Sequence, residues 1–203
     1  MAPSNKGLKF PPEVYSKEEI HRLLKVCSAR SATGARNRAL ITVGYRAGLR
    51  CSEVLSLFPK DIDLVEGHIY VRSGKGGKTR RVGIDAGAVA IIQRWLAFRT
   101  KLGLNGSKPL FCTLDGNKLT TDYVRALMIR LGKKAEIEKR VHYHGLRHTF
   151  SWELSQENTP LKLIQGLLGH SRLETTAVYL AHLAPHDLIR VAHERPDWGG
   201  GSL

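Results

Sequence analysis

The sequence predicts a mainly α fold carrying one small antiparallel β-sheet. Apolar residues recur at helical spacing behind capping residues along most of the 203-residue chain. Between about residues 61 and 84 the pattern changes to short β-branched runs. A glycine-rich stretch, Ser73-Gly74-Lys75-Gly76-Gly77-Lys78, separates those runs in the manner of a hairpin tip.

Taken in order, residues 1–15 hold Pro3, Gly7, Pro11 and Pro12 with little periodicity and predict an extended arm. Ser16-Lys17-Glu18-Glu19 is a capping box, and Ile20, Leu23, Leu24 and Cys27 follow on one stripe. A second helix is predicted over 35–47, with Leu40, Val43 and Ala47 inward and Gly48 ending it. Arg50 therefore falls in a tight helix-to-helix turn. A short helix through Val54, Leu55 and Leu57 is expected to stop at Pro59. Ile69-Tyr70-Val71 and Arg81-Val82-Gly83-Ile84 are the two strand runs. Helices resume behind Asp85 (Val89, Ile92, Leu96) and after Thr121-Asp122 (Val124, Leu127, Met128, Leu131). Another begins near Gly145, and one begins at Thr159-Pro160 and ends at Gly169. A short helix bearing Tyr179 and a tail with Pro185, Leu188, Ile189 and Val191 complete the chain. No internal repeat is visible. The division expected is an arm over 1–15, one domain over 16–194 and a flexible glycine-rich tail over 195–203.

The charge balance narrows the function. Thirty-two Lys+Arg face 18 Asp+Glu, a formal +14; a globular chain this basic usually faces polyanions, nucleic acid the commonest of them, and the alternative is a ribosomal-type or merely solvated basic surface. Three widely spaced cysteines, Cys27, Cys51 and Cys112, form no C-x-x-C pair, and no apolar signal segment opens the sequence. No run approaches the ~18 apolar residues of a membrane span. A reduced, cytoplasmic protein without membrane partners is expected.

The last third carries chemistry. His144-Gly145-Leu146-Arg147-His148-Thr149-Phe150, Leu168-Gly169-His170 and Thr175-Thr176-Ala177-Val178-Tyr179 supply a guanidinium, imidazoles and a phenol in order, and Arg50-Cys51-Ser52-Glu53 adds a second guanidinium upstream. Cutting a phosphodiester through a covalent intermediate needs a nucleophile, neutralisation of the phosphorane and a proton for the leaving alkoxide. Tyr179 can attack. Arg50 and Arg147 can fork onto phosphate oxygens, which lysine cannot imitate. His170 can donate a further hydrogen bond, and His144, three residues before Arg147, can assist proton transfer. At the hairpin tip Lys75 can protonate the leaving 5′-oxygen, with Lys78 as the alternative. Arg72, Lys78, Arg80 and Arg81 extend a basic ribbon suited to phosphates. His144 and His148 stand at i, i+4 without an acidic residue between them, so no metal site and no cofactor is expected.

Together these motifs resemble the catalytic domain of the tyrosine recombinases, the phage-integrase and Xer family, over nearly residues 16–190. The resemblance implies that family's catalytic-domain fold, and a functional set of Arg50, Lys75, His144, Arg147, His170 and Tyr179. Glu53 falls on the family's acidic position and is expected to orient Arg50 or His144. The resemblance also implies a 3′-phosphotyrosyl intermediate formed without metal or ATP, in a prokaryotic, phage or mobile-element enzyme. A homo-tetramer assembled on DNA is implied too, its tail around Leu188 to Val191 packing onto a neighbour or folding back on its own domain. Departures are visible, the mildest being Val54 in place of a common Leu. Gly145 stands where many members have Asp, and only about 15 residues precede the first helix, which leaves no room for the helical core-binding domain that precedes most members' catalytic domain. A shortened chain and a short stand-alone recombinase both fit.

Two rivals share the chemistry or the fold: a type IB topoisomerase, whose chains are usually much larger, and a non-catalytic DNA-binding regulator, whose mark would be a lost catalytic residue. A nucleotide-binding loop at Gly77-Lys78-Thr79 is disfavoured because Arg72 occupies the position where that motif needs its first glycine.

Overall fold

The structure is a computed structural model that describes residues 14–72 and 79–169. The hairpin tip with Lys75 and Lys78, and the segment from His170 through Tyr179 to the C-terminus, lie outside the described residues.

Helix α1 (Lys17–Lys25) starts with the expected reciprocal box: Ser16 Oγ accepts from the Glu19 N–H at 3.2 Å and Glu19 Oε2 from the Ser16 N–H at 2.7 Å. Helix α2 (Ala32–Arg46) begins three residues earlier than predicted, because Ser31 caps it by accepting from the Gly34 N–H. It is not a surface stripe. Residues from Gly34 to Gly44 are buried nearly all round, which makes α2 the central rod of the domain. Gly44 admits the close approach of the next rod: a Cβ there would sit 2.8 Å from the Tyr143 ring.

Helix α3 (Cys51–Leu55) is shorter than predicted. Leu57 lies beyond it but is buried at 2% exposure, held by its N–H on the Val54 carbonyl. Pro59 opens a 3-10 turn, Pro59–Asp61, at the first position, where a missing N–H costs nothing. The sheet gains a strand the sequence did not announce: β1 (Ile62–Asp63), β2 (His68–Val71) and β3 (Arg80–Gly83) lie in that order, all antiparallel. Ile69 faces Val82 and Val71 faces Arg80, so the buried face carries Ile69, Val71 and Val82.

Helix α4 (Ala86–Lys101) is capped by Asp85 as predicted. Its Trp95 donates to the Leu110 carbonyl at 2.8 Å and pins the loop that follows. Helix α5 (Thr121–Lys134) is capped by Thr120, one residue earlier than expected. Helices α6 (Tyr143–Gln156) and α7 (Leu161–Leu168) follow. Pro160, not Thr159, takes the α7 capping position, and Gly169 ends that helix at φ +64°. One large core joins α1 to α6 with the sheet, and Phe150, Ile164 and Leu168 form a smaller one between α6 and α7. Among the described residues, no helix is long and apolar enough to cross a membrane.

Candidate active site

The site assembles where the α2–α3 turn, β3, the start of α6 and the end of α7 meet. The turn is built by Gly48, whose φ is +60° and whose Cβ, if it had one, would lie 2.3 Å from the Phe150 ring. Only glycine satisfies both conditions. The chain then extends through Arg50, which precedes the first turn of α3. Glu53 reaches back to the Arg50 N–H at 2.8 Å and to its Nη1 at 3.1 Å. The rest of the Arg50 side chain stays open, 40% exposed.

Arg147 is the opposite, 1% exposed. Its Nη1 donates to the Gly48 carbonyl at 2.6 Å and its Nη2 to the Leu168 carbonyl at 2.7 Å, so one guanidinium joins the Arg50 turn to the end of α7. Glu53 Oε2 lies 3.9 Å away. Arg80 completes the cluster with a two-pronged pair to Glu53, both contacts at 3.0 Å, while its Nε donates to the Leu167 carbonyl at 2.8 Å. Burial would raise the Glu53 carboxyl, but the Arg80 fork, the Arg50 N–H and the charges of both arginines outweigh it and hold it at about 2. Three guanidinium groups thus surround one carboxylate. The site keeps an excess of positive charge, as a phosphate pocket requires.

Of the two partners expected for Glu53, it takes Arg50; among the described residues, no hydrogen bond joins it to His144. That histidine sits exposed at the start of α6 with its ring 4.5 Å from the His148 ring, edge to face. Packing around the ring, with the charge of Arg147, pushes His144 down to about 4 although one side meets solvent, and burial pushes His148 to about 3. Both are neutral near pH 7, so His144 there is not a cation and has one ring nitrogen free of a proton.

Two anchors of this helix were not foreseen. His142 Nδ1 accepts from the Gly145 N–H at 3.1 Å and caps α6. Tyr15, buried at 1% exposure, sends its N–H to Thr149 Oγ1 at 2.9 Å, while its hydroxyl donates to the His142 carbonyl at 2.9 Å and accepts from the His142 N–H at 2.8 Å. The end of the expected arm is therefore clamped to α6. This also explains Gly145, since a Cβ there would lie 2.4 Å from the Tyr15 hydroxyl.

The basic ribbon divides. Arg81 is exposed and lies over the Tyr70 ring at 4.6 Å. Arg72 is 62% exposed, with its Nε on the buried Asp61 at 2.7 Å. Arg80, placed by sequence among the phosphate contacts, turns inward at 14% exposure because it shares the buried face of Val82. That alternation was the signal available to find it. Lys75, Lys78, His170 and Tyr179 lie outside the described residues.

The phage integrase family model matches residues 13–186. Tyrosine recombinase XerC of Escherichia coli O127:H6 is 35% identical over 96% of this chain and 67% of its own length. XerC of Serratia marcescens is 32% identical over 96% of this chain and 66% of its own. The chain thus spans about two thirds of these curated relatives. Among solved structures, XerA recombinase superposes with a TM-score of 0.79 at 30% identity, covering 97% of this chain and 70% of the other. XerH bound to its palindromic difH substrate after cleavage gives 0.75 at 30% identity, covering 91% of this chain and 54% of the other. With this fold and these matches together, the chain belongs to the phage integrase family and has the fold of a tyrosine recombinase catalytic domain.

Proposed function

We propose that this chain is the catalytic part of a site-specific DNA recombinase that cuts and rejoins double-stranded DNA without metal or ATP. The observation that carries the reading is the cluster of Arg50, Arg80 and Arg147 around the single carboxylate of Glu53, with Arg50 open to solvent. Tyr179 attacks the scissile phosphorus, forming the phosphotyrosyl bond as the bond to the 5′-oxygen breaks. Arg50 and Arg147, with His170, neutralise the pentacoordinate phosphorane. Neutral His144 suits acceptance of a proton during the phenol's attack. The leaving 5′-oxygen takes its proton from the hairpin lysine, Lys75 with Lys78 as alternative. Attack by a partner strand's 5′-hydroxyl reverses these bonds, and the retained ester energy makes ATP unnecessary. Arg72 and Arg81 contact the DNA backbone on this reading. The enzyme works in the cytoplasm as a DNA-assembled homo-tetramer that exchanges its C-terminal tail, with residues 16–194 as the catalytic unit.

Recombinases solved on DNA support DNA as partner, the XerH–difH complex among them. The direct test is a nicked suicide duplex in excess EDTA. Wild type becomes trapped on the 3′ end, and Tyr179→Phe binds without forming the adduct. An adduct surviving in that variant, or strict dependence on added magnesium, overturns the reading. A bridging 5′-phosphorothiolate, whose thiolate leaves without a proton, separates the lysines: it rescues Lys75→Ala, whereas rescue of Lys78→Ala alone would move the role along the hairpin.

A further inference from the structure

Among the described ribbon residues, Arg72 and Arg81 meet solvent while Arg80 spends its guanidinium inside the protein. Its two Nη atoms grip both oxygens of Glu53, and its Nε holds the Leu167 carbonyl. The next carbonyl, that of Leu168, is held by Arg147. Two successive carbonyls at the end of α7, which the helix itself leaves without partners, are thus each taken by a guanidinium. Gly169 completes the joint: its φ is +64°, and a Cβ there would lie 2.8 Å from Arg80 Nη1 and 3.0 Å from its Cζ. Gly169 thus lies directly against the Arg80 guanidinium.

We propose that Arg80 is a positioning residue for strand cleavage, holding the Glu53 carboxylate and the end of α7 so that Arg50 and Arg147 are presented to the scissile phosphate; this rests on the function proposed above. Glu53 holds Arg50 through one side-chain contact and one backbone N–H, and lies 3.9 Å from Arg147. With Arg80 present, the carboxylate is saturated by the fork, and the other two guanidinium groups keep their charge for a ligand. Without Arg80, the same carboxylate turns on Arg50 and Arg147, and the positive excess of the site falls by one charge. Lysine restores the charge but not the fork, because an ammonium cannot present parallel donors to two oxygens.

A phosphate contact and a positioning residue leave different kinetic traces. The full chain carrying Arg80→Gln or Arg80→Lys is compared with wild type on a nicked suicide duplex, with adduct formation followed in single turnover at saturating protein. Affinity is measured separately at several salt concentrations, and folding by thermal melting. The expected result is a saturated cleavage rate lowered about 100-fold by Arg80→Gln and about tenfold by Arg80→Lys, with affinity and salt slope as in wild type. The result that overturns the proposal is a saturated rate equal to wild type combined with a log–log salt slope reduced by about 0.9, the mark of one lost phosphate contact. If Arg80→Gln does not fold, Arg80→Lys decides, and a wild-type saturated rate in that variant overturns the proposal. A wild-type chain that forms no adduct counts against the recombinase reading, whereas fast cleavage by both Arg80 variants counts against the positioning role alone.

Discussion

Arg99 and Arg147 are both almost fully buried, at 2% and 1% exposure, yet they hold different kinds of structure together. Arg99 donates to the carbonyls of Pro109, Leu110, Asn105 and Lys108 and to Cys112 Sγ, all within 13 residues of itself. It is a staple for one loop. Arg36, buried nearby, likewise uses neutral acceptors: the Asn37 side chain, the Cys112 carbonyl and the Tyr123 hydroxyl. Among the described residues, no carboxylate pairs with either. Arg147 instead ties Gly48, 99 residues away, to Leu168, 21 residues away, and lies beside a carboxylate shared with Arg50 and Arg80. In the first region the guanidinium donors are consumed by the fold; in the second, the open Arg50 leaves donors and charge available for a ligand. Burial of an arginine therefore says little about its job until its acceptors and their chain distance are known.

The largest stability effect should come from the loop staple. Arg99→Met removes five donor contacts from this loop, among them the one to the buried Pro109 carbonyl, and is expected to cost roughly 3 to 5 kcal/mol, read as a lower urea midpoint at unchanged slope. A variant as stable as wild type would break the comparison on its structural side. Gly145→Ala comes next. Forcing a methyl against the Tyr15 hydroxyl should cost about 1 to 3 kcal/mol, and Tyr15→Phe in the same chain should not restore it, because the ring itself lies 2.6 Å from that Cβ. Full restoration by Tyr15→Phe would show that the hydroxyl alone sets the limit.

Acid separates the regions more gently. His144 and His148 are held below their ordinary 6.5, to about 4 and about 3, so the unfolded chain takes up protons first and stability should begin to fall as pH drops below 6.5. The stability contributed by Glu53 is complete above its ordinary 4.5 and is lost only as pH falls toward about 2. His148→Gln should flatten the upper part of the melting-temperature profile and Glu53→Gln the lower part. A profile unchanged by His148→Gln would remove His148 from this account.

Much of this was legible in sequence, and the rest was hidden for specific reasons. Gly48 announced the turn that places Arg50, and Ser16, Asp85 and Gly169 marked helix ends, because caps depend on local chemistry. Strand β1 was missed because two residues are too short to show a period. The inward arginines were readable as positions: Arg36 shares a stripe with Leu40 and Val43, Arg99 with Ile92 and Trp95, and Arg80 a strand face with Val82. Their partners were not readable, since Glu53 and the α7 carbonyls come from elements that only folding brings beside β3. In the sequence Tyr15 reads as arm, because nothing local tells that its hydroxyl meets a backbone 127 residues away.

The central claim, that one arginine set serves the fold while the other serves a phosphate, is tested most directly by measuring melting temperature and single-turnover cleavage side by side for Arg50→Ala and Arg99→Met. Arg50 is 40% exposed and its pair with Glu53 is part-solvated, so Arg50→Ala should melt close to wild type while adduct formation falls by about 10² to 10³. Arg99→Met should melt early yet, at a temperature where it is folded, cleave at the wild-type rate. Near-normal cleavage by Arg50→Ala, or a folded Arg99→Met that cannot cleave, would contradict that division of labour.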